Sequence, residues 1–229
     1  AMSIGRFAYT PILPFMQKEA GFTTQFAVFL ASSNYAGYLI GAIIASIVHL
    51  KRNRAIYLRF SIIISILLIL LMGLTYSHAA WMIWRFLSGI MSAFVFVLAS
   101  SLILDQLAKQ RKLGWVGVMY GGVGLGIFVS GLLVPLLIET FNYEGAWIGL
   151  AIVASLLAII VFLTVTEDKT IHTSGETLVP VKTFKTPKWL PWLLASYGLE
   201  GLGYIVTGTF IVAIADQTPA FSGNATNVW

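Results

Sequence analysis

Three charged side chains, Arg6, Arg85 and Glu200, lie inside long apolar runs of the sequence. A charge within a membrane is costly, and such residues almost always face the protein interior or a water-filled path. The two arginines would attract an anionic or polar group of a solute. The carboxyl group of Glu200, within reach of Arg6 or of that solute, would carry a proton. The alternatives are permanent roles: a structural salt bridge between Arg6 and Glu200, or an Arg85 side chain that reaches the outer membrane surface.

Polar side chains at similar depths would orient the solute through hydrogen bonds, namely Tyr9, Asn34, Tyr120 and Tyr204. Asn34 is equally consistent with a hydrogen bond between two membrane helices. These residue types indicate binding and proton transfer, not covalent catalysis.

Residues for catalysis or metal binding are scarce. The chain has no cysteine, and its histidines (His49, His78 and His172) lie in predicted loops or at helix ends without the spacing of metal ligands. The sequence therefore predicts no catalytic residues, no metal site and no cofactor, and argues against a membrane-embedded enzyme.

Apolar runs dominate the composition. Hydrophobic residues make up 58% of the chain and charged residues 10%, with a mean hydropathy of +0.88. This composition excludes an ordinary soluble domain, and the net charge of +5 is spread over short loops, which does not suggest a nucleic-acid partner. A membrane helix needs about 20 apolar residues. Runs near that length predict seven spans, at residues 2–16, 22–50, 56–76, 80–104, 114–138, 146–165 and 189–215.

The first span combines Arg6 with two prolines, Pro11 and Pro14. Proline removes a backbone donor and crowds the preceding turn, so a break in the helix is expected here. Inside a membrane such a break is tolerated where neighbouring helices or a cavity satisfy the freed groups. We therefore predict a broken span that lines a cavity, in preference to a short soluble segment or a signal peptide.

Small residues on two other spans predict close packing of helices. Gly89 follows Arg85 by four residues and so shares its helix face. The fifth span carries glycines at the spacing that lets helix backbones approach each other: Gly117 with Gly121, and Gly122 with Gly126. Packing is the expected role of these glycines, and a hinge is the alternative.

Lysine and arginine residues are concentrated in every second loop. They are concentrated in the second-to-third loop (Lys51, Arg52, Arg54, Arg59), the fourth-to-fifth loop (Lys109, Arg111, Lys112) and the segment before the seventh span (Lys169, Lys182, Lys185, Lys188). The opposite loops contain only Lys18. By the positive-inside rule, we expect a multi-pass protein of the plasma membrane whose basic loops and N-terminus face the cytoplasm.

The order of the runs suggests a two-part organisation. Residues 1–166 form a six-helix bundle with a truncated first helix, residues 167–188 a cytoplasmic linker, and residues 189–229 a seventh span with an outer tail. The chain is then half of a repeat-built transporter plus the start of its second half, a fragment that lacks its last helices. The fold class expected is all-α, a polytopic membrane helix bundle.

These residues resemble the major facilitator superfamily, and specifically its YbfB/YjiJ-like branch. The resemblance rests on residues 5–14 (GRFAYTPILP), 33–38 (SNYAGY) and 197–201 (YGLEG), together with the Arg85–Gly89 pair and the long central linker. It covers essentially the whole chain, and it implies twelve helices in two bundles.

The expected function is secondary active transport of a small organic solute, proton-coupled and working by alternating access. Its partners would be that solute, protons, the lipid bilayer and the missing C-terminal helices of the same protein. A seven-helix receptor, suggested only by the helix count, is the alternative; the long linker argues against it.

Overall fold

Helices account for nearly all of the described chain. The computed structural model describes residues 2–47, 53–165, 187–216 and 218. Its regular elements are all helical: α1 (Met2–Phe7), α2 (Tyr9–Ala20), α3 (Thr24–Ile47), α4 (Arg54–Leu74), α5 (His78–Lys109), α6 (Val116–Thr164) and α7 (Leu190–Asp216), with a 3₁₀ turn at Leu113–Trp115. The predicted all-α class is therefore confirmed. Most of the predicted linker, residues 166–186, and the tail from residue 219 lie outside the described residues.

The helical hydrogen bonds of the first span have one gap, at Ala8 between α1 and α2. The gap follows from Pro11, which has no N–H group to donate to the carbonyl of Phe7. The chain stays helical there, because Ala8 has φ −63° and ψ −18°, its N–H donates to the carbonyl of Ile4 at 3.2 Å, and its carbonyl accepts from the N–H of Ile12 at 3.3 Å. Pro14 lies inside α2 without ending it. The break predicted from the prolines therefore amounts to one missing hydrogen bond, with Arg6 and Tyr9 on either side of it.

The fifth and sixth predicted spans form one helical hairpin, α6. Asn142 is the single non-helical residue within it, with φ 61° and ψ −175°. A Cβ atom on Gly149 would lie 2.9 Å from the methyl groups of Leu137, although twelve positions of straight helix would separate the two by about 18 Å. The helix therefore folds back at Asn142. Below, residues 116–141 are the first limb of α6 and residues 143–164 the second.

The buried core joins the first span to α5 and the second limb of α6. Its largest fully buried side chains include Tyr9, Met16, Trp81 and Trp147. The indole groups find partners: Trp81 Nε1 donates to the carbonyl of Thr75 at 2.8 Å, and Trp147 Nε1 donates to Met16 Sδ at 3.4 Å. Because buried indole N–H groups need acceptors, the Trp81 bond holds α5 to the end of α4, and the Trp147 bond holds the second limb of α6 to the first span.

The outer surface of the bundle is apolar. Large hydrophobic side chains are strongly exposed on several helices, for example Leu39, Ile63 and Leu163. Among the described residues, α3, α4, α5 and α6 are long and apolar enough to cross a membrane. An exposed apolar surface of this extent is stable in contact with lipid and not in water. The chain is therefore a membrane protein.

Helices α3 and α5 cross with their backbones in contact. A Cβ atom on Gly37 would clash with the backbone carbonyl of Phe86, and one on Gly41 would lie 2.8 Å from the Cα atom of Ile90. From the other side, a Cβ atom on Gly89 would clash with the carbonyl of Asn34. Glycine is therefore required at this crossing, which confirms the packing role expected for Gly89.

Replacing Gly37 with leucine should destabilise the protein. The new side chain must displace backbone of α5, and overpacking of this kind typically costs about 1–3 kcal/mol. Thermal unfolding in detergent measures the change. Ala36→Leu is the matched control, since Ala36 is exposed on the same helix, and its melting temperature should stay near that of the parent. Equal effects of the two substitutions would contradict the backbone crossing.

The glycines at the beginning of α6 have no close neighbours among the described residues. Cβ atoms on Gly117, Gly121, Gly122 and Gly124 would meet nothing within 4 Å among the described residues. The packing role predicted for this glycine face stays a prediction.

Two arginines of α4, Arg54 and Arg59, bind the ends of α5 and of the second limb of α6. Arg54 Nη1 lies 2.7 Å from the Asp105 carboxylate and donates to Ser101 Oγ at 2.8 Å. Arg59 Nη2 donates to the carbonyls of Phe162 and Val165, at 3.1 and 2.7 Å. A cation at the C-terminus of a helix satisfies carbonyls that lack helical partners, so Arg59 caps the second limb of α6.

Candidate functional site

The candidate site is a pocket where α1, α2, α3, α5 and α7 meet. It encloses about 330 Å³ of space between protein atoms, part of it open to the surroundings. Its walls stand close together, so little more than one water molecule fits. The lining residues are Arg6, Phe7, Tyr9, Thr10, Tyr35, Arg85, Tyr204, Ile205, Gly208 and Thr209. The sequence-predicted residues Arg6, Tyr9, Arg85 and Tyr204 are thus brought together.

Arg85 is the most deeply buried cation of the pocket, with an exposed fraction of 3%. Its Nη1 atom donates to the carbonyl of Gly5 at 3.2 Å. Its guanidinium carbon lies 4.4 Å from the centre of the Tyr9 ring. Its Nε atom is buried and has no partner among the described residues. Arg85 is therefore held in place by backbone and ring contacts, without a carboxylate partner in the described part of the chain.

Arg6 is surrounded by aromatic rings. Its guanidinium carbon lies 4.4 Å from the ring centre of Tyr38, 5.2 Å from that of Tyr35 and 5.5 Å from that of Phe7. Cation–π contacts within about 6 Å stabilise such a charge without neutralising it. The Nε atom of Arg6 is also buried without a partner in the described part of the chain.

Neither pocket arginine forms a salt bridge with a described residue. The ion pair found within those residues joins Arg54 to Asp105, on α4 and α5. Buried charges are usually paired or satisfied by several hydrogen bonds. The pocket is therefore electropositive, and its chemistry suits the binding of an anionic group.

Asn34 lies behind the pocket, fully buried on α3. Its Nδ2 atom donates to the backbone carbonyl of Arg85 at 2.9 Å, while its Oδ1 atom has no partner among the described residues. Tyr9 likewise directs its hydroxyl away, to the carbonyl of Ala27 at 3.0 Å. Asn34 thus ties α3 to α5, which carries Arg85, and Tyr9 ties α3 to α2. For Asn34 this is the interhelical hydrogen bond weighed as one of its two expected roles.

Hydroxyl groups join α7 to the rest of the pocket. Thr10 Oγ1 donates to the carbonyl of Gly208 at 3.0 Å, and the hydroxyl oxygens of Tyr35 and Thr209 are 2.6 Å apart. Since Thr209 donates its proton to the carbonyl of Ile205 at 2.7 Å, Tyr35 is the donor to Thr209.

The sequence reasoning missed Thr10, Tyr35 and Thr209 as site residues. Their signal was present, because hydroxyl groups inside apolar spans commonly bond across helices.

Three predicted residues have different surroundings. Tyr204 lines the pocket and is 58% exposed. Tyr120 lies outside the pocket on the first limb of α6, with its ring centre 6.1 Å from that of Phe96. Glu200 is exposed, about 6 Å before Tyr204 along α7, and forms no salt bridge with a described residue. Its predicted pairing with Arg6 is not present among those residues, and the roles of Tyr120 and Glu200 stay predictions.

The described residues contain no group of three or more histidine, aspartate or glutamate side chains able to hold a metal ion.

Comparison with known proteins identifies the fold and family. The family described as "Uncharacterised MFS-type transporter YbfB" matches residues 1–229. A crystal structure of a mutant of the nucleoside transporter NupG superposes with a TM-score of 0.61 at 12% sequence identity, covering 97% of this chain. The chain spans 59% of the length of that structure. No curated protein matches significantly by sequence.

Proposed function

Since the chain belongs to the YbfB-type family of major facilitator superfamily transporters, we propose that it is a proton-coupled secondary transporter of a small organic anion. Alternating access would carry the anion across the membrane. The observation that supports an anion is the pair of pocket arginines, Arg6 and Arg85, which have no carboxylate partner among the described residues. A solute carboxylate or phosphate would supply the missing negative charge, through charge-assisted hydrogen bonds.

The wider organisation is part of the same proposal. Residues 1–166 would act as one bundle, residues 167–188 as a cytoplasmic linker, and α7 as the first helix of a second bundle. The basic loops would face the cytoplasm, with the protein in the plasma membrane. Glu200 would carry the coupling proton, and Tyr120 would contribute a hydrogen bond in another stage of the transport cycle.

The proposal differs from what the structural neighbour transports. A nucleoside carries no charged group of its own, and identity of 12% supports only a shared fold. A buried and a half-buried guanidinium group would be a costly lining for an uncharged solute, because the solute would leave both charges unpaired.

Paired solutes test the proposal on the purified full-length protein. Small carboxylates should raise the melting temperature, because a ligand stabilises the folded state that binds it. The corresponding amides, which have the same shape without the charge, are the matched controls and should have little effect. In vesicles, an imposed pH gradient should drive accumulation of the carboxylate that stabilises most. Equal stabilisation by amides or by nucleosides would contradict an anionic substrate, whereas carboxylate binding without pH-driven uptake would contradict proton coupling alone.

A further inference from the structure

A second cavity lies on the membrane surface of the bundle, away from the arginine pocket. It lies between α4, α5 and the second limb of α6. The space between the protein atoms is about 730 Å³, a figure that includes the open side. Only apolar side chains line it, among them Leu58 on α4, Ala99 on α5 and Ala158 on α6. The part of this space that a ligand can occupy is about 260 Å³, slightly below the range of about 300–1,000 Å³ typical of small-molecule sites, so a narrow ligand is expected. A ligand that fills this cleft must therefore be a hydrocarbon along most of its length.

The cleft opens towards lipid. Two of its lining residues, Ile103 and Leu157, are exposed at 38% and 46%. Beside Leu157 on α6, Leu156 and Ile160 are more exposed still, and they belong to the apolar surface that faces the bilayer. An acyl chain of a neighbouring lipid can enter from this side without crossing water.

One end of the cleft carries arginine. Val165 lines the cleft, and its carbonyl accepts the hydrogen bond from Arg59 Nη2 at 2.7 Å. The Arg59 guanidinium group therefore lies at the rim. Nη2 makes both of the helix-capping bonds, and Nη1 donates to no described residue. The cap thus uses one edge of the guanidinium group and leaves donors for another acceptor.

The charges near this rim favour an anion. Asp105, at the adjoining end of α5, is already paired with Arg54 at 2.7 Å. The same end of α5 leads to Lys109, Arg111 and Lys112, all exposed. Basic residues at a membrane surface each attract anionic lipid by about 1 kcal/mol.

From this geometry we propose that the cleft binds an anionic phospholipid, with one acyl chain between α4, α5 and α6 and its phosphate on Arg59. The site is separate from the arginine pocket and does not depend on which solute is transported.

Native mass spectrometry of the full-length protein tests the proposal with dioleoyl phosphatidylglycerol and dioleoyl phosphatidylcholine. One phosphatidylglycerol molecule should be retained in preference to phosphatidylcholine. Arg59→Gln should weaken that retention by more than about fivefold, the factor expected for one basic residue near an anionic lipid surface, because Arg59 also donates hydrogen bonds to the phosphate. Lys109→Gln, which removes a charge at the same end of the bundle away from the rim, is the matched control and should change it less. Glycerol phosphate, which has the headgroup charge without acyl chains, should not compete.

Filling the cleft gives an independent answer, because it leaves Arg59 and its helix cap in place. Ala158→Leu and Ala99→Leu should each reduce phosphatidylglycerol retention, and thermal melts without added lipid establish that the variants fold. If Ala158→Leu fails to fold, Ala99→Leu decides. Unchanged retention in a folded filled variant would overturn the acyl-chain site. Equal retention of the two lipids, or equal effects of Arg59→Gln and Lys109→Gln, would overturn the role of Arg59.

Discussion

Replacing Arg85 with glutamine should abolish solute binding while the helix bundle stays folded. Arg85 is 3% exposed, and no described carboxylate pairs with it. Removing one partner of a buried, hydrogen-bonded charge pair typically costs about 2–5 kcal/mol of binding, which is roughly thirtyfold or more in affinity. Stability should not fall in parallel, since the substitution removes a buried charge that lacks a counter-ion in the described residues. Titration with the stabilising carboxylate, followed by thermal unfolding, measures both quantities.

Two further variants identify the cause. Arg85→Lys keeps the charge but loses the planar fork that binds a carboxylate through two hydrogen bonds, so an intermediate affinity is expected. Arg111→Gln removes an exposed arginine far from the pocket residues and should leave binding intact. If Arg85→Gln unfolds the protein, its contacts with the Gly5 carbonyl and the Tyr9 ring are its main role, and the anion site is wrong.

Replacing Glu200 with glutamine should uncouple transport from the proton gradient. Glutamine has nearly the same shape and can hydrogen-bond, but it cannot release a proton. The variant should therefore still bind solute and exchange it across the membrane, yet the imposed pH gradient should no longer produce accumulation. In the described residues Glu200 is exposed and Arg6 is surrounded by rings, so removal of the acid should leave the fold intact. Uptake and exchange in vesicles separate the two activities.

A structural Glu200 would behave differently. Breaking a buried pair with Arg6 would cost about 3–5 kcal/mol, so yield and melting temperature would fall together with activity. Arg6→Gln combined with Glu200→Gln would then restore both folding and accumulation, an outcome that rules out Glu200 as the coupling group. Glu139→Gln is the matched control, because Glu139 is exposed on α6 and lies outside the pocket.

The spans were predictable because a helix that contacts both lipid and the buried core must be apolar on all its faces, which gives a long apolar run in the sequence. Their ends were less predictable. The run that ends at Leu104 continues as helix to Lys109, because Asp105 pairs with Arg54 and a helix need not stop where the membrane does. The two prolines predicted a broken first span, whereas Pro11 removes one hydrogen bond and the chain stays helical at Ala8.

The site was predictable to the level of charge. Arginines inside apolar runs are unusual enough to be recognised from sequence, and Arg6 and Arg85 do line one pocket. Rotation about the helix axis was not predictable, since side chains one position apart point about 100° away from each other. For that reason depth along the sequence did not indicate Thr10, Tyr35 and Thr209, which line the pocket, and the roles assigned to Tyr120 and Glu200 stay predictions. Their hydroxyl bonds depend on the register of α7 against its neighbours, which no periodicity encodes.

The single-residue reversal at Asn142 has a practical consequence for labelling the protein. Proteases need several residues of exposed, extensible backbone, and tolerated insertions need the same. The residues flanking Asn142 are helical, and Tyr143, Ala146 and Trp147 just beyond it are buried. An epitope tag or a protease site placed at this turn would have to separate the hairpin from the core to be reached. Resistance of this turn to cleavage in intact cells would therefore reflect its anchoring and would carry no information about which side of the membrane it occupies.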